Sequence, residues 1–189
     1  GLETAIILIA FVVVASVFAY TVLSAGIFSA EKGKEAIHSG LQTSRSSMEL
    51  QGGLVAQDSD SDDDIDSLVF TLTNALDGEP VDLATTTDAD SDGVLSDETT
   101  KSHVTVVAYS DKNQRVDDIA WTVTQMGKGD ADTQLDAGEK FQMTVDVSNL
   151  SPRLTAYDTF QIEIKPNKGS TLTVERTVPA VVDAVMDLK

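Results

Sequence analysis

The sequence predicts an α+β protein in which one long N-terminal helix precedes an antiparallel β-sandwich or barrel. Residues 4–30 are mostly apolar and carry no charged side chain. Beyond residue 67, short segments alternate apolar and polar residues with the period of a β-strand, and turn-forming residues separate them. We therefore predict a helix over 1–52, an acidic linker over 53–66 and an outer β-domain over 67–189.

The uncharged run is long enough to cross a membrane. Residues 5–28 form about 24 positions, which span about 36 Å as a helix and match the roughly 30 Å hydrocarbon core of a bilayer. A helix that is apolar on all faces has to be buried all round, either by lipid or by many copies of itself. A secretory signal peptide fits poorly because it has a shorter apolar region and a basic start. We expect Gly1, in place of Met, to follow a processing cut that leaves the helix on the mature protein.

Small residues recur along one side of this helix. Ala19, Gly26, Gly33 and Gly40 are spaced by seven, so they drift by only about 20° per step and permit close approach of a neighbouring helix. The alternative is that these glycines merely weaken or bend the helix. We expect the helix to end at Gly52-Gly53. The residues predicted to contact other copies are Ile6, Ile7, Phe11, Val14, Phe18, Val22, Gly26, Gly33 and Gly40.

The predicted strands lie in the acidic remainder of the chain. Tyr109, Trp121 and Phe141 are expected in the β-core, and His103 is expected at the surface or at a sheet edge. Ser and Thr are dense along these segments, which suits strand faces left in solvent. The segments are 68–75, 103–110, 119–125, 141–148, 159–166, 171–179 and the apolar tail 180–188.

The charge balance excludes several functions. The 189 residues include 31 acidic and 13 basic side chains, for a formal charge of −18. Nucleic acids and anionic lipid headgroups both need a basic surface, so we expect neither as a partner. An acidic, Lys-poor surface suits solubility in high salt, where repulsion between the acidic side chains is screened.

Cysteine is absent, which removes disulfides and thiolate metal sites. No nucleophile-elbow or phosphate-loop motif occurs, so we predict no enzyme and no required cofactor.

Two acidic loops are candidates for Ca²⁺ or another divalent cation. In the first, aspartates occupy positions 1, 3 and 5 of a calcium loop and Gly93 occupies position 6, but Thr99 stands where Glu is expected at position 12. The second repeats the alternation without the central Gly. The alternative for both is an Asp-rich turn, and we interpret the run DSDSDDDID at 58–66 as a solvated linker. The candidate ligands are Asp88, Asp90 and Asp92, then Asp130, Asp132 and Asp136.

Four stretches, taken in order, resemble the archaellins, the subunits of the archaeal motility filament. They are GLETAIILIAFVVVASVFAYTVLSAG at the start, IDSLVFTLTNALDGEPVDL, LDAGEKFQMTVDV and LTVERTVPAVVDAVMDL near the end. The resemblance implies a helix packed with its copies into a filament core and an Ig-like β-domain facing outward. Type IV pilins, which share the helix, usually place Glu at the fifth position; here Ala5 holds it and the early acid is Glu3.

The resemblance also implies a function. The chain would be a structural subunit that polymerises through its helix and passively transmits motor torque. It implies a prepilin-type peptidase, a membrane assembly platform, a stay in the membrane before assembly and, in some filaments, paralogous subunits. Archaellins are often glycosylated, which makes the sequon at Asn149 a candidate. The alternatives are an adhesive archaeal pilin and a monomeric β-domain anchored in the membrane.

Overall fold

The computed structural model describes residues 1–45, 47–75 and 79–188, with side chains left out for 42–45. The chain divides into two units, Gly1–Leu41 and Gln42–Lys189. The first unit is helix and the second is built from β-strands. This division confirms the predicted α+β class.

Helix α1 spans Leu2–Arg45, 44 residues or about 66 Å. Two of its hydroxyl groups bond within the helix: Ser16 donates to the Val13 carbonyl oxygen at 2.9 Å, and Thr21 donates to that of Phe18 at 2.8 Å. Such bonds let polar side chains sit in apolar surroundings without an unpaired donor. The portion Leu2–Leu41 is long and apolar enough to cross a membrane.

The predicted helix end at Gly52-Gly53 is wrong, because strand β1 already begins at Met48 and runs to Gln57. The two glycines form a bulge inside this strand, where the pairing with the next strand jumps from Gln51–Thr71 to Leu54–Phe70. Gly52 has φ of 87°, a conformation that glycine adopts without strain. Leu54, directly after the glycines, is completely buried in the β-core, which stabilises the strand. The two glycines therefore lie within a strand and do not end a helix.

The acidic linker predicted over 53–66 is also wrong. Its first residues belong to β1, and Asp64–Ile65 form strand β2, with the Ile65 side chain completely buried. Asp58 between them is 5% exposed. The segment is therefore part of the β-domain, because its apolar and hydrogen-bonded residues fix it to the core.

The remaining strands are β3 (Ser67–Asn74), β4 (Val81–Asp82), β5 (Val106–Asp111), β6 (Arg115–Val116), β7 (Trp121–Gln125), β8 (Gln134–Leu135), β9 (Lys140–Asp146), β10 (Leu154–Thr155), β11 (Thr159–Lys165), β12 (Leu172–Thr177) and β13 (Val185–Leu188). One sheet has the order β13-β1-β3-β9-β7 and the other β12-β11-β5-β6, with β10-β2 and β4-β8 as short pairs. Every pairing between these strands is antiparallel. The period-two segments thus form the strands that the sequence predicts, with ends shifted by up to five residues.

One hydrophobic core joins the two larger sheets. The strands β9 and β11 each bury every second side chain, as a strand with one face on a core must do. Trp121 and Phe141 are buried, and Tyr109 stacks on Phe160 with ring centroids 6.1 Å apart. The predicted aromatic core is confirmed.

His103 is not at the surface, which corrects its predicted position. Its side chain is 5% exposed, with Nδ1 at 2.7 Å from the Thr86 hydroxyl and Nε2 at 3.0 Å from Asp118. The same hydroxyl accepts the backbone N–H groups of Ser102 and His103. Because the Thr86 oxygen already accepts two hydrogen bonds, the Thr86 hydroxyl donates its proton to Nδ1 of His103. Nε2–H of His103 is then donated to the Asp118 carboxylate. These hydrogen bonds connect the loop residues Thr86, His103 and Asp118, which lie outside the strands.

An ion-pair cluster on β11 makes the stability of the fold depend on pH. Arg115 and Lys165 contact the Glu163 carboxylate at 3.1 and 2.8 Å, and they lower the pKa of Glu163 to about 2. Because the folded pKa lies below the usual value of 4.5, the pair stabilises the fold above pH 4.5, and this stabilisation is lost as the pH falls to about 2.

We expect Glu163→Gln to lower the free energy of unfolding at pH 7 by at most about 1 kcal/mol, since the pair is partly exposed to water. At pH 2 the loss should shrink. Urea unfolding of the full chain in detergent, followed by Trp121 fluorescence, measures both values. Glu175→Gln, an exposed acid on β12, is the control. An equal loss at the two pH values would contradict the ion-pair explanation.

Candidate functional site

The side chains of α1 form an extensive exposed apolar surface. All nine residues that the sequence predicts as contacts between copies lie on this helix, and the large ones among them are more than half exposed. Burying one such side chain is worth roughly 1.5–3 kcal/mol, so the fifteen large apolar residues of 5–28 represent an upper bound of roughly 20–45 kcal/mol. A surface of this size has to be covered by lipid or by other chains.

The small residues leave space on the helix. A Cβ atom built on Gly26, Gly33 or Gly40 would meet no heavy atom within 4 Å in the described part of the chain. The backbone there is open to close approach by another helix. That these glycines lie at contacts between copies stays a prediction.

The loop containing Asp88 and Asp92 has the internal geometry of an oxygen-ligand loop. Asp88 accepts the N–H groups of Ser91 and Gly93 through its two oxygens, at 2.7 and 2.9 Å, and Asp92 accepts that of Val94 at 2.8 Å. Ser91 and Gly93 both have positive φ, 59° and 84°. These bonds turn the chain so that its side-chain oxygens converge.

The three aspartates of this loop come together as the sequence predicts. Asp88, Asp90 and Asp92 each bring one carboxylate oxygen within 4.8 Å of the other two. Desolvation and the neighbouring Asp92 charge raise the pKa of Asp90. Glu98, one residue short of the twelfth position, folds back so that its Oε1 accepts the Ala89 N–H at 2.6 Å. Converging carboxylates of this kind suit a hard divalent cation.

The second predicted loop is also brought together. Asp130, Asp132 and Asp136 have one carboxylate oxygen each within 4.8 Å of the others. Glu139 supports the loop, because its two oxygens accept the N–H groups of Asp130 and Asp136 at 3.3 Å each. As in the first loop, two of the three aspartates are exposed and one is partly buried.

A third loop with the same geometry was missed from the sequence. Asp58, Asp60 and Asp62 converge within 4.8 Å, and Asp58 accepts the N–H groups of Ser61 and Asp63 at 2.6 and 3.2 Å. The spacing Asp-x-Asp-x-Asp repeats that of 88–92, and this spacing was the signal that could have found it. Interpreting the segment by its composition, as a solvated linker, concealed the pattern.

A groove of about 730 Å³ lies beside the first and third loops. Carboxylates of Asp60, Asp66, Asp88 and Asp146 line it together with several Ser and Thr hydroxyls, and none of its lining residues is basic. The predicted glycosylation residue Asn149 also lines the groove and is exposed.

Comparison with known proteins adds to this geometry. The family model for archaeal-type flagellin matches residues 1–176. "Probable flagellin 1" of Archaeoglobus fulgidus is 38% identical, over 100% of this chain and 93% of the relative, and "Probable flagellin 2" of the same organism is 31% identical, over 95% and 88%.

Solved structures agree with the sequence relatives. The archaeal flagellum of Methanospirillum hungatei strain JF1 has a TM-score of 0.71 and 26% identity, covering 100% of this chain and 98% of that one. Archaeal flagellin FlaB1 from Methanocaldococcus jannaschii has a TM-score of 0.58 and 11% identity, covering 75% and 95%, and shares the fold. Both the long helix and the antiparallel sheets described above are thus found together in a flagellum subunit.

Proposed function

Because the chain belongs to the archaeal-type flagellin family and is a non-enzymatic subunit of the self-assembling archaeal swimming filament, we propose that α1 forms the core of that filament. The observation that supports this role is the charge-free apolar surface of α1, which extends over residues 4–30 and is exposed on every face. Parallel copies of the helix would bury that surface against one another, and the β-domains would face the solvent. The filament does no chemistry and transmits motor torque passively.

The same surface supports a stay in the membrane before assembly. A helix with a charge-free apolar run of membrane length is stable in lipid, and lipid tails are as apolar as neighbouring helices. The hydrophobic free energy therefore nearly cancels when a subunit moves from lipid to filament. Close packing and external work must supply the difference, which supports a membrane assembly platform as a partner. A prepilin-type peptidase is proposed as a further partner, on the likeness of α1 to the processed helix of the family. Paralogous subunits could be incorporated through the same helix surface.

Electron microscopy of material sheared from the cell surface tests this function. Filaments that contain this chain and disappear with its gene, together with swimming, are the expected result. A deletion strain that swims normally but fails to attach would indicate an adhesive pilin. Preparations with membranes and no filaments would indicate a membrane-anchored monomer.

We further propose that the loops at Asp88–Asp92 and Asp130–Asp136 bind Ca²⁺ or another divalent cation. Their converging carboxylates support this role. Titrating Ca²⁺ into the chelator-treated full chain in detergent should release or absorb heat and should raise the melting temperature. Asp90→Asn should weaken binding, because it removes one ligand charge and leaves the backbone hydrogen bonds of Asp88 intact.

The control for this titration is Asp187→Asn, which removes an exposed acid of β13 outside both loops. It should leave the binding heat unchanged. If the unmodified chain gives no heat and no gain in melting temperature, neither loop is a cation site.

Asn149 is proposed as a glycosylation site, supported by the sequon Asn149-Leu150-Ser151 and by the exposed position of its side chain. Intact-mass spectrometry of filaments should show a mass above that of the bare polypeptide. Asn149→Gln should remove the added mass. A wild-type mass equal to that of the polypeptide would contradict the proposal.

A further inference from the structure

The charges of α1 lie at its two ends. Glu3 is in the first turn, and the next charged residue is Glu31, at the start of the cluster Glu31–Glu35. Lys32 in this cluster is paired with Glu35 at 2.6 Å. Glu3, Glu31 and Lys34 take part in no ion pair among the described residues, so Glu3 at one end of the apolar run and Lys34 at the other both lack an oppositely charged partner.

Filament symmetry limits what can pair with Glu3. Identical subunits in a helical filament are related by rotation and translation along the axis, so all copies of α1 point the same way. A neighbouring α1 at the same height presents to Glu3 apolar residues, another Glu3 or the N-terminal amine of Gly1, and it presents no basic side chain. Because residues 4–31 contain no basic side chain, a basic residue of a neighbouring α1 has to come from Lys32 onward.

Leaving Glu3 without a partner is costly. Placing an isolated carboxylate in an apolar environment costs several kcal/mol, and an opposite charge with good geometry compensates for much of that cost. Lys34 is suited to this role because it is not used by its own helix and its long side chain can lie along apolar surface while its ammonium group finds a charge. Gly33, directly before it, leaves open space for the first turn of another helix.

We propose that neighbouring α1 helices are displaced along the filament axis so that Glu3 of one copy pairs with Lys34 of another. Lys34 follows Glu3 by about 31 residues, which at 1.5 Å per residue gives a displacement of about 46 Å. The pairing sets the axial register of the core, which apolar contacts alone fix weakly. It rests on the proposed function, in which α1 forms that core.

A helical reconstruction of native filaments by electron cryomicroscopy tests this register. The expected result is a Glu3 carboxylate within about 4 Å of the Lys34 ammonium of another copy, with the two helices offset by about 46 Å. A core made of α1 in which Glu3 instead faces an N-terminal amine, Lys32 or solvent would overturn the register and leave the proposed function standing. A core not made of α1 would overturn the proposed function itself.

Charge variants provide an independent test. Lys34→Glu places two acids together and should reduce filament yield at least tenfold. Adding Glu3→Gln to that variant removes the repulsion and should restore most of the yield. Lys128→Glu, an exposed outer-domain residue with no described ion pair, should assemble like wild type. Normal yield from Lys34→Glu, or no recovery in the double variant, would overturn the proposal.

Discussion

Replacing Val14 with Asp is expected to abolish filaments. Val14 is 68% exposed on α1 and lies in the middle of the charge-free run. An Asp at the centre of a membrane-spanning helix costs about 2.5–3.5 kcal/mol on insertion scales, and an unpaired charge in a packed helical core costs several kcal/mol. The cost recurs in every subunit, so we expect at least a tenfold loss of filaments in sheared cell-surface material.

The matched control is Val185→Asp. Val185 is 64% exposed, similar to Val14, but it lies on β13 of the outer domain. This variant should form filaments at the wild-type level. Immunoblots of whole cells should show that both variants are synthesised. Wild-type filament yield from Val14→Asp would mean that α1 is not the buried core.

The second large effect is expected from Trp121→Ala. The indole is 2% exposed and belongs to the core that joins the two larger sheets. Truncating a buried aromatic side chain removes its transfer free energy and leaves a cavity, at a cost of about 3–5 kcal/mol. Since domains of this size are stable by only about 5–15 kcal/mol, the melting temperature should fall sharply. Circular dichroism of the chain in detergent measures it.

Tyr157→Ala is the control for the loss of an aromatic ring. Tyr157 is 72% exposed, and its removal should change the free energy of unfolding by no more than about 0.5 kcal/mol. If the two variants lose the same stability, the core assignment of Trp121 is wrong.

The helix and most strands could be predicted from the sequence because their signals are local. An uncharged apolar run of membrane length has few alternatives to helix, and strands such as β9 and β11 show strict alternation between core and solvent. The alternation also placed Tyr109 and Phe141 in the core without any knowledge of their partners.

Strand β1 could not be predicted in the same way. Its sequence MELQGGLVAQ contains a glycine pair that interrupts alternation, and the strand is defined by pairing with β3 and β13, the second of which lies more than a hundred residues away. The buried position of His103 has a similar cause, since Thr86 and Asp118 meet it through the fold and not through sequence spacing.

The acidic loops also show which features have a local sequence signal and which do not. The aspartates of 88–92 converge as predicted because loop geometry depends on spacing within a few residues. The equivalent spacing at 58–62 was hidden by a dense run of acids, in which composition suggested solvent exposure. The groove beside both loops depends on tertiary packing and had no signal in the sequence.

The central position of β1 has a mechanical consequence. This strand follows α1 directly, and its second half is hydrogen-bonded on both edges, to β3 and to β13. Drawing the chain out of the domain from residue 47 would have to break the pairing of β1 with β3 and, from Leu54 onward, its pairing with β13 as well. Drag on a rotating filament would thus enter each outer domain through a strand that resists being drawn out.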